Sequence, residues 1–350
     1  MAMASLLAKT IGQSLLVVSA GSCMYHLIGI NTGARQLLGG GLIATFIAAQ
    51  LWLLPAPLPR GNMGSAQIAT FFMTCSAFLT LTRLIHFTTV GWNQHSIQSP
   101  RPPLSTFLLL YFTAPISVRS LHPTSTALSR YVRALDQPPW RALLKLSLLG
   151  LILQFGVANR FPSLDRSLLQ FSLTGNLILY LLLSGMGDIL SAILEPLLHV
   201  QMWPSFDKPW LAVSFKDFWS FRWHSPYADA IVIVLQRSLN PYLPKPLPTA
   251  LVYLYSGTCH VGLVHFTTGE VSWCMLAFFG LAYLGVLSDP LLARCSKAAP
   301  AYARTVVRRA VVIAALSLTS QLFWHAMWQH RFLQGLAATC GVKAGYYVLF

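Results

Sequence analysis

The chain is 350 residues long, with 24 Lys or Arg against 9 Asp or Glu, giving a formal charge of +15 and a pI near 9.9. Apolar residues make up 55% of it and charged ones only 9%, where a soluble domain carries roughly 25% charged residues; the mean hydropathy is +0.59. A water-soluble globule, a disordered tail and a disulfide-stapled secreted scaffold are excluded. An all-α integral membrane protein, a single polytopic domain over 1–350, remains.

A membrane span needs about 20 apolar residues to cross about 30 Å of hydrocarbon. In chain order, the predicted spans are Ile11–Ile30, Leu37–Leu54, Ala66–Leu81, Leu143–Ala158, Leu168–Leu194, Leu247–Thr267, Val271–Leu287, Ala310–Trp328 and, weakest, Phe332–Phe350. The first has Lys9 ahead of it and a Ser19-Ala20-Gly21 stretch that resembles a cleavage site. Its apolar run continues to Ile30, so it reads as a retained signal anchor. Leu104–Val118 is short and broken by Pro115, which suits an interfacial or part-way segment. Tyr227–Leu239 is apolar but short and is followed by Pro241 and Pro244, so a re-entrant or short helix is expected there. The expected bundle has eight or nine spans.

The excess of cations invites a nucleic-acid reading, but their distribution argues against it. They sit in short connectors between apolar runs, as the positive-inside rule requires. Arg119, Arg130, Arg133, Arg141 and Lys145 face only Asp136 in one connector. Arg294, Lys297, Arg304, Arg308 and Arg309 face only Asp289 in another. Both connectors are expected on the cytosolic side, with an even number of spans between them. The six cysteines are scattered with no CxxC pair and read as reduced thiols.

Several enzyme classes lack their residues. No two histidines stand three or four apart, so di-iron His boxes are missing. No two acids lie within four residues, so the clustered carboxylates of a magnesium-pyrophosphate site are missing. No P-loop, no GxSxG elbow and no metal-ligand set is present, and no internal repeat of the transporter kind is visible.

Two segments can carry chemistry. Phe215-Lys216-Asp217-Phe218-Trp219-Ser220-Phe221-Arg222-Trp223-His224 packs aromatics, both charge signs and a histidine into ten residues. A juxtamembrane aromatic belt with snorkelling cations accounts for the same composition. Ser256-Gly257-Thr258-Cys259-His260 places a histidine inside an otherwise uncharged span. An intramembrane histidine is a functional candidate because its desolvation costs free energy, and kept from water the ring stays neutral and able to accept a proton. A hydrogen bond to another helix is the alternative. Asp188, near the end of its span, is expected to face a polar cavity or interface.

These two segments together resemble the wax synthase-like branch of the membrane-bound O-acyltransferases. Within it, they are similar to fungal membrane acetyltransferases of terpenoid and meroterpenoid biosynthesis. That family shows Ser-Leu-x-Asp-Phe-Trp-Gly-Arg-Arg-Trp-His/Asn, then an intramembrane His after a Ser-Gly pair. Asp217, Phe218, Trp219, Arg222, Trp223 and His224 match the first stretch, and Ser256, Gly257 and His260 the second. Gly91-Trp92-Asn93 looks like the family's Gly-Trp-Asn segment. Ser220-Phe221 stand where the family has Gly-Arg, and Val261 where an acid is common.

The resemblance implies a catalytic core over 202–289 and an acyl-CoA co-substrate, acetyl-CoA above all, with no permanently bound cofactor and no metal. His260 and His224 are the implied catalytic residues. Asp217, Trp219, Arg222, Trp223 and Ser256 are the implied contacts to donor or substrate, and Lys216 or the Arg294–Arg309 cluster the candidate partners of CoA phosphate. Implied partners are the lipid bilayer, most plausibly that of the endoplasmic reticulum, and an apolar hydroxylated small molecule; no nucleic acid is expected. Transfer of long acyl chains to alcohols, giving wax or sterol esters, is the same-family alternative. A multi-span transporter using the histidines as proton relays is the alternative from another class.

Overall fold

The computed structural model describes residues 2–27, 32–53, 65–89, 104, 108, 118–119, 138–157, 167–198, 201–202, 204–224, 227–228, 231–237, 239–298 and 300–339. Nine α-helices of eight residues or more are found among them: α1 (Ala2–His26), α2 (Thr32–Leu53), α3 (Ser65–Thr89), α4 (Pro138–Leu151), α5 (Leu168–Leu198), α6 (Pro246–Thr268), α7 (Trp273–Cys295), α8 (Ala301–Gln329) and α9 (Phe332–Thr339). α4 runs on as a π-helical segment, Ile152–Val157. The extended backbone is a two-residue antiparallel ladder, β1 (Val118–Arg119) with β2 (Gln201–Met202).

Helix ends follow local chemistry. Ser167 Oγ accepts from the Gln170 amide at the start of α5, and Ser272 Oγ from that of Met275 at the start of α7. Pro246 opens α6, where a missing N–H costs nothing. Gly269 closes it at φ 81°, a left-handed conformation in which glycine is unstrained.

Four helices are long and apolar enough to cross a bilayer: Leu168–Pro196, Pro246–Thr268, Trp273–Ala298 and Tyr302–Gln329. Many large apolar side chains on these and neighbouring helices point outward, among them Leu144, Leu177, Leu284, Leu291 and Leu318. In water such a surface would be an aggregation liability; in lipid it is the expected exterior. The protein is an integral membrane protein. α1, α2 and α3 overlap the first three predicted spans, α1 beginning at Ala2, ahead of the predicted Ile11, and α3 running on to Thr89, while α4 begins at Pro138, ahead of the predicted Leu143. The predicted span Phe332–Phe350 is described only as far as α9, and most of Leu104–Val118 lies outside the described residues.

α5, α6, α7 and α8 share one core, in which Phe171, Ile178, Val264, Met275, Phe278, Phe279 and Trp324 meet. Hydrocarbon offers no hydrophobic drive between helices, so close approach and polar links do the joining. Asn176 on α5 supplies such a link. Its Oδ1 accepts from Trp324 Nε1 at 2.8 Å, and its Nδ2 donates to Ser320 Oγ at 3.0 Å, both on α8. A second cluster joins α1, α2 and α3 through Met24, Phe46 and Leu84. A third packs Ala212, Phe215 and Phe218, from the connector between α5 and α6, onto Val312 of α8.

Candidate active site

The connector is built around one carboxylate from α7. Asp289 Oδ1 accepts from the Phe215 amide at 2.8 Å and Oδ2 from that of Lys216 at 2.9 Å, an acid set on the otherwise unsatisfied donors of a helical turn. Ser214 caps the same turn, its Oγ accepting from the Asp217 amide. A side chain at Gly285 would meet the Phe215 ring at 2.8 Å, so glycine lets α7 press against the turn. From Phe218 to Arg222 the chain widens into a π turn, closed by the Trp223 amide donating to Phe218 O at 2.8 Å. That wide turn stacks Trp223 on Phe218, ring centroids 5.3 Å apart.

Asp217 and Arg222 hold the turn together. Arg222 Nε donates to Asp217 Oδ2 at 2.9 Å and its Nη1 to Asp207 O at 3.1 Å, while Asp217 also accepts from the Val213 amide. Trp219 points into the bundle, against Tyr253, Phe278 and Phe279. The turn ends at His224, whose φ is 47°. A non-glycine residue in this left-handed region costs on the order of 1–3 kcal/mol and persists only where its surroundings hold it. Here Phe206 and Tyr227 flank the ring at 5.6 and 5.8 Å.

His260 lies on α6, its ring between Phe279 of α7 at 4.7 Å and Phe323 of α8 at 5.6 Å. Its Nδ1 is 2.7 Å from Ser256 O. A carbonyl oxygen only accepts, so Nδ1 carries the proton, and in the neutral ring Nε2 is left with its lone pair. Nε2 has no hydrogen-bond partner among the described residues. Gly257 permits the approach of α7. A methyl there would meet Leu276 Cδ1 at 3.0 Å and Phe279 Cβ at 3.2 Å, displacing the ring that rests on His260.

The structure places His224 within electrostatic range of His260. Burial first, then repulsion from His260, holds His224 down at about 4, against an ordinary 6.5. His224 is thus neutral at pH 7. Both side chains are partly buried. Ser256 contributes its backbone carbonyl.

Sequence reasoning missed a group of polar side chains beside His224 and on the helix that carries His260. Thr82 Oγ1 on α3 donates to Phe78 O at 2.8 Å, so its 2.8 Å contact with Tyr255 must be a bond donated by the Tyr255 hydroxyl. The Cys259 thiol lies near the hydroxyls of both Tyr255 and Tyr227, and Tyr227 lies against His224. The available signal was Tyr255 and Cys259 four apart on one helix face. Asp188, expected at a polar interface, accepts from Arg141 and Lys145 of α4 at 3.0 and 2.6 Å. His330, which no sequence pattern picked out, pairs with Glu270 at 3.2 Å. Gly91-Trp92-Asn93 lies outside the described residues.

No curated protein matches the chain. Residues 202–281, which hold the connector, His224, α6 with His260 and the first turns of α7, match the model of the Membrane bound O-acyl transferase family, and the match supports an acyltransferase that works in lipid on an acyl donor and an acceptor.

Proposed function

We propose that the chain is an acyl-CoA-dependent O-acyltransferase of the wax synthase-like branch, with 202–289 as its catalytic core. In this reading it moves an acetyl group from acetyl-CoA to a hydroxyl of an apolar terpenoid or meroterpenoid, in the endoplasmic reticulum membrane. α1–α4 cross the bilayer beside the four long apolar helices, completing eight or nine spans, and the connector faces the cytosol.

One observation carries the reading: the Ser256 carbonyl fixes the His260 tautomer and leaves Nε2 without a hydrogen-bond partner among the described residues, free to accept a proton. The acceptor hydroxyl donates to Nε2, and its oxygen attacks the thioester carbonyl carbon. The C–S bond of the tetrahedral adduct then breaks, and Nε2 returns the proton to the departing sulfur, giving ester and free CoA thiol. General-base help of this kind is worth about 10²–10⁴-fold. Neutral His224 offers an N–H to the carbonyl oxygen as negative charge develops there. Trp219 and Trp223 wall the acyl end, and Asp217 with Arg222 holds the turn that presents His224. Bringing both substrates into a water-poor space supplies orientation and limits hydrolysis of the thioester.

The test is to supply microsomes containing the chain with labelled acetyl-CoA or palmitoyl-CoA and a panel of terpenoid and fatty alcohols. The wild type transfers acetyl to a terpenoid alcohol. His260→Ala loses about 10²–10⁴-fold in kcat, and His224→Ala loses a large part of its rate. Wild-type turnover by a well-expressed His260→Ala variant overturns the reading.

A further inference from the structure

At the connector end of α8 two consecutive arginines are fixed in an unusual way. Arg308 Nε donates to Val213 O at 3.0 Å, and Arg309 Nε to Leu211 O at 3.2 Å. Each guanidinium is thus anchored by one of its five N–H groups, with no carboxylate partner among the described residues and part of its surface accessible. Topogenic charge alone needs no such anchoring, because a cation that only sets orientation works as well on a free side chain. A guanidinium held by Nε presents its Nη pair as a ready fork, the geometry that binds phosphate in two places at once.

The strap that these arginines hold carries an aromatic. Trp210 is 52% exposed on the short helical turn Pro209–Leu211, next to Leu211. The turn is opened by Lys208, itself exposed and left-handed at φ 46°. An exposed indole one residue from the carbonyl that anchors Arg309 gives the strap the two chemistries that take a nucleotide, a ring for the base and cations for the phosphates.

The same indole begins a line of rings leading inward. Trp210 meets Tyr180 at 5.7 Å, Tyr180 meets Phe206 at 5.4 Å, and Phe206 meets His224 at 5.6 Å. Three such steps are within the reach of an extended pantetheine arm, with the thioester at the inner end and the nucleotide outside.

We propose that Arg308, Arg309 and Trp210 form the site for the nucleotide end of the acyl donor, its phosphates on the two guanidiniums and its base on the indole. The inference rests on the acyltransferase reading for the identity of the donor. A lipid headgroup carries the same phosphate chemistry, and the experiment separates the two sources.

Full-length protein in nanodiscs is assayed with acetyl-CoA and with acetyl-pantetheine, which lacks the nucleotide, and binding of CoA alone is titrated directly. Arg308→Gln/Arg309→Gln raises the KM for acetyl-CoA and the Kd for CoA by about tenfold or more, as loss of charged hydrogen bonds to phosphate requires. Its kcat and its KM for acetyl-pantetheine stay within about twofold of wild type. Trp210→Ala leaves the arginine anchors in place and weakens CoA several-fold, so the proposal is still tested if the double variant fails to fold. Wild-type protein that binds CoA but transfers no acetyl group sinks the acyltransferase reading and not this one. Unchanged CoA binding in the variants, an equal rise in KM for both donors, or binding of anionic lipid, and not of CoA, that the double variant abolishes overturns this one.

Discussion

Phe206 and Tyr227 flank the His224 ring, on a backbone held at φ 47°, and burial sets its protonation. In the unfolded chain this histidine titrates at its ordinary 6.5, and in the folded one at about 4. Between those values the unfolded state binds the extra proton, so stability is undiminished above pH 6.5, falls as pH drops through that window and levels off below about 4. The loss is at most about 3 kcal/mol, from about 1.4 kcal/mol per pH unit, and less once solvent reaching the ring is counted. Melting temperatures measured from pH 7 to pH 4 therefore fall for the wild type, and His224→Gln flattens that part of the curve. Equal pH dependence in the two proteins would mean that His224 is not enclosed. His224 and His260 were legible as residues in the sequence, because a histidine in or beside an uncharged span is costly and stands out. Their mutual approach was not legible: it needs the wide turn from Phe218 to Arg222, which no sequence spacing announces.

At the scale of elements, the connector depends on α7. Asp289 receives two amides from Phe215 and Lys216, and replacing it with alanine orphans both. That costs about 1–3 kcal/mol and loosens the turn that ends in His224. The exposed Lys216 reports the change: trypsin cleaves after it faster in Asp289→Ala than in wild type, while Asp289→Asn, which keeps one acceptor, falls between. Equal cleavage rates in all three would show that the turn stands without α7. In sequence terms Asp289 was only the one acid in a basic connector, and Arg308 and Arg309 were members of a cluster that served equally as topogenic charge or as partners of CoA phosphate. Their partners are backbone atoms about 75 to 100 residues away in the chain, and a backbone carbonyl leaves no mark in composition. Asp217 and Arg222 matched a motif, yet the pattern did not reveal that they bind each other and the turn's own backbone.

For the whole molecule, the apolar runs made helices and lipid contact readable, because about 20 apolar residues in a row have few other uses. Connectors were less readable, since apolarity does not tell a crossing from a part-way entry. The basic ends of α7 and α8 lie with the connector at one end of the bundle, so orientation reduces to one measurable side. Cys295, exposed at the end of α7, marks it. In sealed microsomes, whose outer face is the cytosolic one, a variant retaining only this cysteine reacts with a membrane-impermeant maleimide before detergent is added. Reaction only after detergent reverses the orientation.

The hydrogen bond from His260 to Ser256 also decides what kind of machine this ring can belong to. Its tethered nitrogen spends its proton on a carbonyl four residues back in the same helix, which passes nothing on. A relay needs two working nitrogens, one to receive and one to hand forward. This imidazole has a single open door, so whatever hydrogen enters by it must leave by it, as the proposed local exchange requires and a through-membrane conductor does not allow.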